Sequence, residues 1–134
     1  MRKLSNQLVG NVGLFYVCYE LSKRGWNCLP TTRNAKGVDI VIYNSKGDRK
    51  YTIEVKSLSK EDPAPFGNKL KIMADFVIIC TKVFTDHPNI YILKPEEVKK
   101  NIHKGKKNKR VSYWLQRDKY SQYKNYWEKI GKGF

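Results

Sequence analysis

The fold of this chain is decided by residues 37–57, which read GVDIVIYNSKGDRKYTIEVKS. Two apolar runs flank a polar, turn-like stretch, and this pattern predicts a β-hairpin. A turn centred on Lys46 and Gly47 places Asp39 directly opposite Glu54, and opposed side chains in an antiparallel pair have Cβ atoms roughly 5 Å apart. The hairpin is therefore expected to bring two acids together.

The same register assigns the other side chains of the hairpin to its two faces. Lys56 lies two residues beyond Glu54 and points from the acidic face, where Gly37 on the opposite strand leaves it room. The other face receives the apolar side chains that a core requires, which are Ile40, Ile42, Ile53 and Val55. A slip of one residue would change which side chains meet, so the site depends on the turn.

The facing carboxylates of Asp39 and Glu54 predict a metal site. Two acids so close repel each other, and burying them part-way in a sheet is costly unless a cation neutralises them. Hard oxygen ligands favour Mg²⁺ or Mn²⁺, and Lys56 would position a water or stabilise charge on a phosphoryl oxygen. The alternative is an ion pair of Glu54 with Lys56 on a solvated sheet face, but the apolar residues around them favour the metal site.

Residues 37–39 (GVD), the hairpin and residues 54–56 (EVK) resemble the core of the PD-(D/E)xK nuclease superfamily, which includes restriction endonucleases and archaeal Holliday-junction resolvases. The resemblance covers roughly residues 5–93. It implies that Asp39, Glu54 and the backbone carbonyl of Val55 bind the metal and that Lys56 assists catalysis. The matching fold is α/β (α+β), a restriction-endonuclease-like mixed β-sheet flanked by helices with an αβββαβ core.

The chain departs from the family pattern at two places. Val38 replaces the proline of the motif name, which leaves the metal site intact. Many relatives carry a glutamate on the first helix, whereas the matching residues 10–14 contain none. Asn11 or Gln7 could reach the metal through a water, and Glu20, near the helix end, is expected to be a surface acid.

The remaining elements are predicted from the spacing of apolar residues and from capping, glycine and proline residues. A mostly buried helix is predicted between the cap at Ser5 and Gly25, with an apolar stripe at Leu4, Leu8, Val12, Phe15 and Tyr19. We expect strands at residues 26–29, 75–80, 90–93 and 111–115, and loops at 30–36 and 62–67. Helices are expected at residues 67–74, from Pro95, and after an N-cap at Asp118. The last of these carries a packing stripe of Tyr120, Tyr123, Trp127 and Ile130, with base stacking as the alternative.

Charge points to a polyanionic partner. The 134 residues contain 27 Lys and Arg against 12 Asp and Glu, a net charge of +15, and residues 99–134 form a basic extension of the single domain expected over residues 1–134. Residues 103–110 are predicted to form a basic loop that grips phosphates. The expected nucleic-acid contacts are Lys69, Lys71, Lys104, Lys106, Lys107, Lys109 and Arg110.

Other classes of protein are disfavoured. No apolar run is long enough to span a membrane and no leader pattern is present, so no membrane contact and a cytoplasmic location are expected. Cys18, Cys28 and Cys80 are too widely spaced to suggest a zinc site or a disulfide framework.

These observations predict a Mg²⁺- or Mn²⁺-dependent endonuclease that hydrolyses phosphodiester bonds in DNA. It would be structure-selective, like a junction resolvase, or of restriction type, and either activity favours a homodimer. A non-catalytic nucleic-acid-binding module that keeps the nuclease fold is the rival interpretation. An RNA-directed nuclease is the remaining enzyme alternative.

Overall fold

The computed structural model describes residues 4–32 and 37–134 of the chain, so residues 33–36 of the predicted loop lie outside the described residues. The helices are α1 (Asn6–Lys23), α2 (Pro95–Asn101) and α3 (Arg117–Tyr120). The strands are β1 (Asn27–Pro30), β2 (Ile40–Tyr43), β3 (Lys50–Ser57), β4 (Ala64–Gly67), β5 (Phe76–Thr81), β6 (Asn89–Leu93), β7 (His103–Lys107) and β8 (Arg110–Leu115). Two 3₁₀ turns follow α3, at Ser121–Tyr123 and Trp127–Lys129.

Five strands form the central sheet in the order β1-β2-β3-β5-β6. Strands β3 and β5 are parallel, and the other neighbours are antiparallel. Strand β5 is buried along its whole length, because its apolar residues alternate onto two faces that are both covered. This mixed sheet flanked by helices is the fold class expected from the sequence. The strands predicted at residues 26–29, 75–80, 90–93 and 111–115 are present within one residue at either end.

The hairpin of β2 and β3 has the predicted register, in which Ile40 pairs with Ile53. Asn44 closes the turn, because its side chain donates to Asp48 at 2.7 Å and accepts from the backbone N–H of Arg49 at 2.9 Å. The core-facing side chains are fully buried at Ile40, Ile42 and Ile53. The acidic face of the hairpin is therefore directed away from this core.

Helix α1 begins at the predicted cap, where the Ser5 hydroxyl accepts a hydrogen bond from the Leu8 N–H at 3.3 Å. A methyl group at Gly13 would collide with the Ser57 side chain, so glycine lets the helix lie directly on β3. The side that α1 buries carries Gly13, Val17 and Leu21.

The predicted burial of the α1 stripe is wrong at four of its five positions. Leu4, Leu8, Phe15 and Tyr19 are exposed, and only Val12 packs against the core. Apolar residues occur on several sides of this helix, so their spacing did not identify the side that faces the sheet. The close approach at Gly13 decides it.

A second sheet is formed by three antiparallel strands in the order β4-β8-β7. It corrects two predictions, because the expected loop at residues 62–67 contains β4 and the expected basic loop at 103–110 is a β-hairpin. The turn of this hairpin has two consecutive residues with positive φ, Asn108 at 51° and Lys109 at 65°. Such a turn matches the twist of paired strands, so β7 and β8 can run directly into it.

Two predicted helices are not formed within the described residues. The second helix of the αβββαβ order, expected at residues 67–74, is replaced by the end of β4 and an irregular segment. The helix expected after Asp118 breaks into α3 and 3₁₀ turns, and α3 is preceded by Gln116 rather than capped by Asp118. Its stripe nevertheless packs as predicted. Tyr120 and Ile130 are buried, and Tyr123 and Trp127 are partly buried against clusters of buried apolar side chains.

Across residues 4–32 and 37–134, none of the helices combines the length and the apolar character that a membrane crossing needs.

Candidate active site

Asp39 lies directly before β2 and is tied to β3 through both its backbone and its side chain. Its backbone N–H donates to the Ile53 carbonyl at 2.8 Å, and its Oδ2 accepts from the Val55 N–H at 2.7 Å. These bonds hold the carboxylate across the hairpin, next to the strand that carries Glu54. Among the described residues, the side-chain hydrogen bond of Asp39 is made through Oδ2.

Thr31, directly after β1, helps to hold Asp39 in this position. No motif in the sequence indicated this role. The Thr31 hydroxyl donates to the Val38 carbonyl at 2.5 Å, and the Thr31 N–H donates to the Asp39 carbonyl at 2.9 Å. The backbone on the N-terminal side of β2 is thereby fixed by two hydrogen bonds. A threonine after a short strand carries no signal of its own, so only the fold identifies this contact.

Glu54 and Lys56 extend from the same face of β3, as the alternation of side chains predicts. The Lys56 Nζ lies 3.1 Å from the Glu54 Oε2, and the two side chains are 24% and 13% exposed. The Lys56 ammonium also lies 4.8 Å from the centre of the Phe66 ring, a cation–π distance. The ion pair of the alternative interpretation is present, but it lies in a largely covered position rather than on an open sheet face.

A cleft of about 370 Å³ collects the predicted catalytic residues. It is lined by Asp39, Glu54, Val55 and Lys56, together with Gly37 and Lys71. Lys71 comes from the irregular segment between β4 and β5, so a residue expected to bind phosphate stands beside the acids. The cleft thus combines two carboxylates with two ammonium groups.

Asp39 and Val55 also border a second cavity, of about 470 Å³, on the side of α1. Its lining is rich in amides and hydroxyls, including Asn6, Asn11 and Ser57. Asn11 lines the same cavity as Asp39, whereas Gln7 is not among the lining residues, and contact of either with a metal stays a prediction. Glu20 instead forms ion pairs with Lys23 at 3.1 Å and with Arg24 at 3.5 Å, near the end of α1.

The donor atoms at the cleft suit a hard divalent cation. Val55 donates its N–H to Asp39, and since the N–H and C=O of one strand residue point to the same side, its carbonyl faces the same edge. Two carboxylates and one carbonyl are oxygen ligands of the kind that Mg²⁺ accepts while it keeps several waters. Among residues 4–32 and 37–134, no cluster contains three or more His, Cys, Asp or Glu side chains.

The seven predicted nucleic-acid contacts are all exposed, and the fold divides them into groups. Lys71 lines the catalytic cleft. Lys69, Lys109 and Arg110 border one depression of about 520 Å³ at the tip of the β7–β8 hairpin, and Lys107 shares a neighbouring one with Arg110. The strand register places Lys104 and Lys106 on the other face of the hairpin, opposite Tyr113 and Val111.

Glu61 is a partly buried acid that the sequence did not single out. Its carboxylate accepts hydrogen bonds from Thr81 at 2.5 Å, Asn89 at 2.6 Å and Tyr91 at 2.8 Å, and Arg117 lies 3.6 Å away. Burial raises the pKa of Glu61, but the three hydrogen bonds outweigh it and hold the pKa below its usual value. The network anchors the segment between β3 and β4, so Glu61 supports the cleft without lining it.

The three cysteines differ in environment. Cys80 is buried in β5, and burial raises the pKa of its thiol to about 12. The Cys28 sulfur lies 3.7 Å from both the Cys18 carbonyl oxygen and the Ser22 hydroxyl. Hydrogen bonding with the Cys18 thiol lowers the pKa of Cys28 to about 7 against the opposing effect of burial. All three are free thiols.

Comparison with known proteins adds one relationship. No protein family model matches the chain, and no curated protein matches its sequence. The structure is similar to that of a bacterial homing endonuclease, I-Ssp6803I, with a TM-score of 0.64 and 16% sequence identity. The similarity covers 95% of this chain and 93% of that one. The chain therefore shares its fold with a nuclease over almost its whole length.

Proposed function

We propose that the protein is a metal-dependent endonuclease of the PD-(D/E)xK type that hydrolyses phosphodiester bonds in DNA. The observation that carries this proposal is the single cleft lined by Asp39, Glu54, Lys56 and Lys71. The net charge of +15 and the fold shared with a homing endonuclease support the choice of DNA as substrate.

In this proposal, Asp39, Glu54 and the Val55 carbonyl hold Mg²⁺ or Mn²⁺. A bound metal of this kind polarises the phosphoryl oxygen and lowers the pKa of a coordinated water. Asp39 is already oriented for the task by its bond to the Val55 N–H, so binding requires little reorganisation of that side chain. Asn11 lines the cavity that Asp39 borders, and in this proposal it would contact a water on the metal in place of the missing helix glutamate.

Lys56 has two successive roles in the proposed mechanism. Without metal, its ammonium neutralises Glu54 at 3.1 Å. With a metal bound beside Glu54, the Lys56 ammonium would hold the attacking water or balance charge on the phosphate. Lys71, on the rim of the same cleft, is placed to bind a second phosphoryl oxygen.

The basic hairpin of β7 and β8 supplies affinity for the DNA backbone. Lys69, Lys109 and Arg110 converge at its tip, and contacts of this kind bind phosphates without reading sequence. A homodimer would let two clefts cut two strands, as expected for either a junction resolvase or a restriction-type enzyme. The cleavage panel described below also tests RNA as a substrate.

A second candidate function is a non-catalytic nucleic-acid-binding module. The observation in its favour is the Glu54–Lys56 ion pair, which satisfies both charges without metal. Such a module would bind DNA equally well with Mg²⁺ and with EDTA.

The test is a cleavage panel of supercoiled plasmid, linear duplex, a four-way junction and single-stranded RNA, in Mg²⁺, Mn²⁺ or EDTA. We expect metal-dependent cutting by the wild type, loss of cutting in Glu54→Gln, and full activity in the control Glu128→Gln, an exposed acid outside the cleft. Binding of Mn²⁺ followed by calorimetry should be lost in the same variant. Intact substrates under every condition, with DNA still bound, would establish the binding module instead.

A further inference from the structure

The cavity of about 470 Å³ on the α1 side of the site lies where α1, β3 and β4 meet. Helix α1 rests directly on β3 at Gly13, where a methyl group would collide with Ser57. One turn earlier, at Gly10, a methyl group would meet nothing within 4 Å, so the first turns of the helix leave a gap beside the sheet. Asn6, Gly10 and Leu14 line this gap from one side of α1, as their spacing of four residues allows.

The walls of the cavity are neutral, apart from Asp39 at its border. Residues 4–19, which include the helical wall, contain no Lys, Arg, Asp or Glu, although the chain carries a net charge of +15. Hydrogen-bonding and apolar groups are combined in the lining, at Asn6, Asn11, Thr32, Ser57, Leu14 and Pro65. A phosphate is best bound by ammonium or guanidinium groups, and none of the described lining residues supplies one. Amides and hydroxyls beside apolar side chains suit a nucleobase, which is neutral, flat and has hydrogen-bonding edges.

The cavity and the cleft share a common wall, formed by Asp39 and Val55. The cleft carries the ammonium groups of Lys56 and Lys71, which suit a phosphate. A phosphate held there would have its attached nucleoside beside the shared wall. The two neighbouring spaces therefore match the two parts of one nucleotide, with the charged part in the cleft and the neutral part in the cavity.

We propose that this cavity takes the base of one unpaired nucleotide that adjoins the scissile phosphate, a role that rests on the proposed function of the cleft. Its volume of about 470 Å³ is within the roughly 300–1,000 Å³ of sites for small ligands, so it suits one nucleoside and not a segment of duplex.

A base inside a duplex would have to leave the helix before it could enter the cavity. Extrusion costs pairing and stacking energy, and the cost is least for a base that is already unpaired. The protein should therefore prefer DNA that has an unpaired nucleotide at the cleavage site over fully paired DNA.

DNA binding in EDTA tests the proposal without cleavage, because the neutral contacts of the cavity need no metal. One duplex sequence is prepared fully paired and with a single unpaired 2-aminopurine nucleotide, and the affinity for each is measured. We expect the wild type to bind the second duplex at least about tenfold more tightly. The fluorescence of 2-aminopurine should rise on binding, since the base leaves its stacked neighbours and none of the described lining residues is aromatic.

Gly10→Leu fills the cavity and provides the test of place. Its Cβ would meet open space, and leucine favours a helix more than glycine does, so the variant is expected to fold. It should lose both the preference and the rise in fluorescence, but keep wild-type affinity for the paired duplex and for Mn²⁺. The matched control is Gln122→Leu, which adds a leucine at an exposed position outside the cavity and should keep the preference.

Equal affinity of the wild type for the two duplexes would overturn the proposal, and so would a preference that Gly10→Leu retains. Either result, beside metal-dependent cutting of paired DNA, would leave the proposed function in place. A preference that Gly10→Leu abolishes, in a protein that cuts no substrate in Mg²⁺ or Mn²⁺, would establish the cavity as a nucleotide site and remove the nuclease.

Discussion

The Oδ2 atom of Asp39 accepts a hydrogen bond from the Val55 N–H at 2.7 Å, which joins the first acid of the candidate site to the strand that carries the second. One backbone group therefore positions the carboxylate, and the neighbouring carbonyl of Val55 is directed to the same edge. Glu54, on the same strand, is neutralised by the Lys56 ammonium at 3.1 Å, so the two acids line one cleft with only one of them unpaired from that ammonium. The hydrogen bond to Val55 is the structural role of Asp39, and metal binding is its proposed chemical role.

Asp39→Asn should weaken metal binding while it preserves the fold. The amide oxygen of asparagine still accepts the Val55 N–H, so we expect the free energy of unfolding to change by less than about 1 kcal/mol. The lost negative charge should weaken Mn²⁺ binding at least tenfold in calorimetry. Asp86→Asn, an exposed acid outside the cleft, is the control and should bind Mn²⁺ like the wild type. Equal binding by Asp39→Asn would show that Asp39 is not a ligand.

Lys56→Ala should separate metal binding from catalysis. Removal of the ammonium that lies 3.1 Å from Glu54 leaves that carboxylate free, so Mn²⁺ should bind at least as tightly as to the wild type. Cleavage should fall about 10²- to 10³-fold, as for the loss of one group that stabilises a transition state. Lys99→Ala on the exposed side of α2 controls for the change in net charge. Weaker metal binding in Lys56→Ala would contradict the assigned role.

The basic tip of the β7–β8 hairpin should dominate the salt dependence of DNA binding. A triple variant, Lys69→Ala with Lys109→Ala and Arg110→Ala, removes the charges that border one depression. The slope of log K against log[salt] should become less steep by about 3, since each phosphate contact contributes about 0.9. All duplex sequences should be affected alike.

The control for this variant has the same change in net charge at another surface. It replaces Lys99, Lys100 and Lys119, all exposed, with alanine. An equal loss of slope in both triple variants would mean that total charge, rather than the hairpin tip, sets the affinity.

Glu61 should make stability sensitive to acid. Its pKa is lowered in the folded state, so its contribution is present above the unfolded value of about 4.3 and is lost as pH falls through the folded value. Glu61→Gln should cost about 1–3 kcal/mol at pH 7, because charged hydrogen bonds from Thr81, Asn89 and Tyr91 become neutral or mismatched. Urea unfolding of the wild type and of Glu61→Gln at pH 7 and at pH 3 measures this cost. The difference between the two free energies of unfolding should be smaller at pH 3. If the difference in the free energy of unfolding between the two proteins is the same at both pH values, the titration of Glu61 does not cause it.

Cys28 should be the most reactive thiol near neutral pH. Hydrogen bonding with the Cys18 thiol lowers the pKa of Cys28 to about 7, whereas burial raises the pKa of Cys80 to about 12. The rate of alkylation by iodoacetamide should rise with pH to a plateau with a midpoint near pH 7, because the thiolate is the nucleophile. Peptide mapping at pH 7 should find Cys28 labelled first, and Cys28→Ser should remove this phase. Labelling of Cys80 at the same rate would contradict the assignment.

Much of the candidate site could be predicted because it depends on neighbours in sequence. The hairpin register follows from one turn, and the structure pairs Ile40 with Ile53 as expected. Glu54 and Lys56 then share one face of β3 because side chains alternate along strands, and Asp39, directly before β2, lines the same cleft. Lys71 was expected to bind phosphate, but its place in the same cleft depends on an irregular segment whose path no local pattern describes.

The elements that were predicted wrongly are those whose state depends on distant partners. Residues 62–67 contain two prolines and are typical of a loop, yet Ala64–Gly67 within them form β4 and pair with β8, about fifty residues later. The segment 103–110 is rich in lysine, and its extended form depends on the same sheet. Glu61 lies in a polar stretch with no motif, and its partners come from β5 and β6.

By itself, the sequence determined the central sheet, the hairpin register and the meeting of Asp39, Glu54 and Lys56, because the period of two along a strand and one short turn are local properties. Only the tertiary structure decided which side of α1 is buried and which is exposed. Apolar residues lie on both sides of that helix, so local periodicity does not choose between them. The choice falls to the close contact of Gly13 with Ser57, two residues that are far apart in the chain and meet only when the helix packs on the sheet.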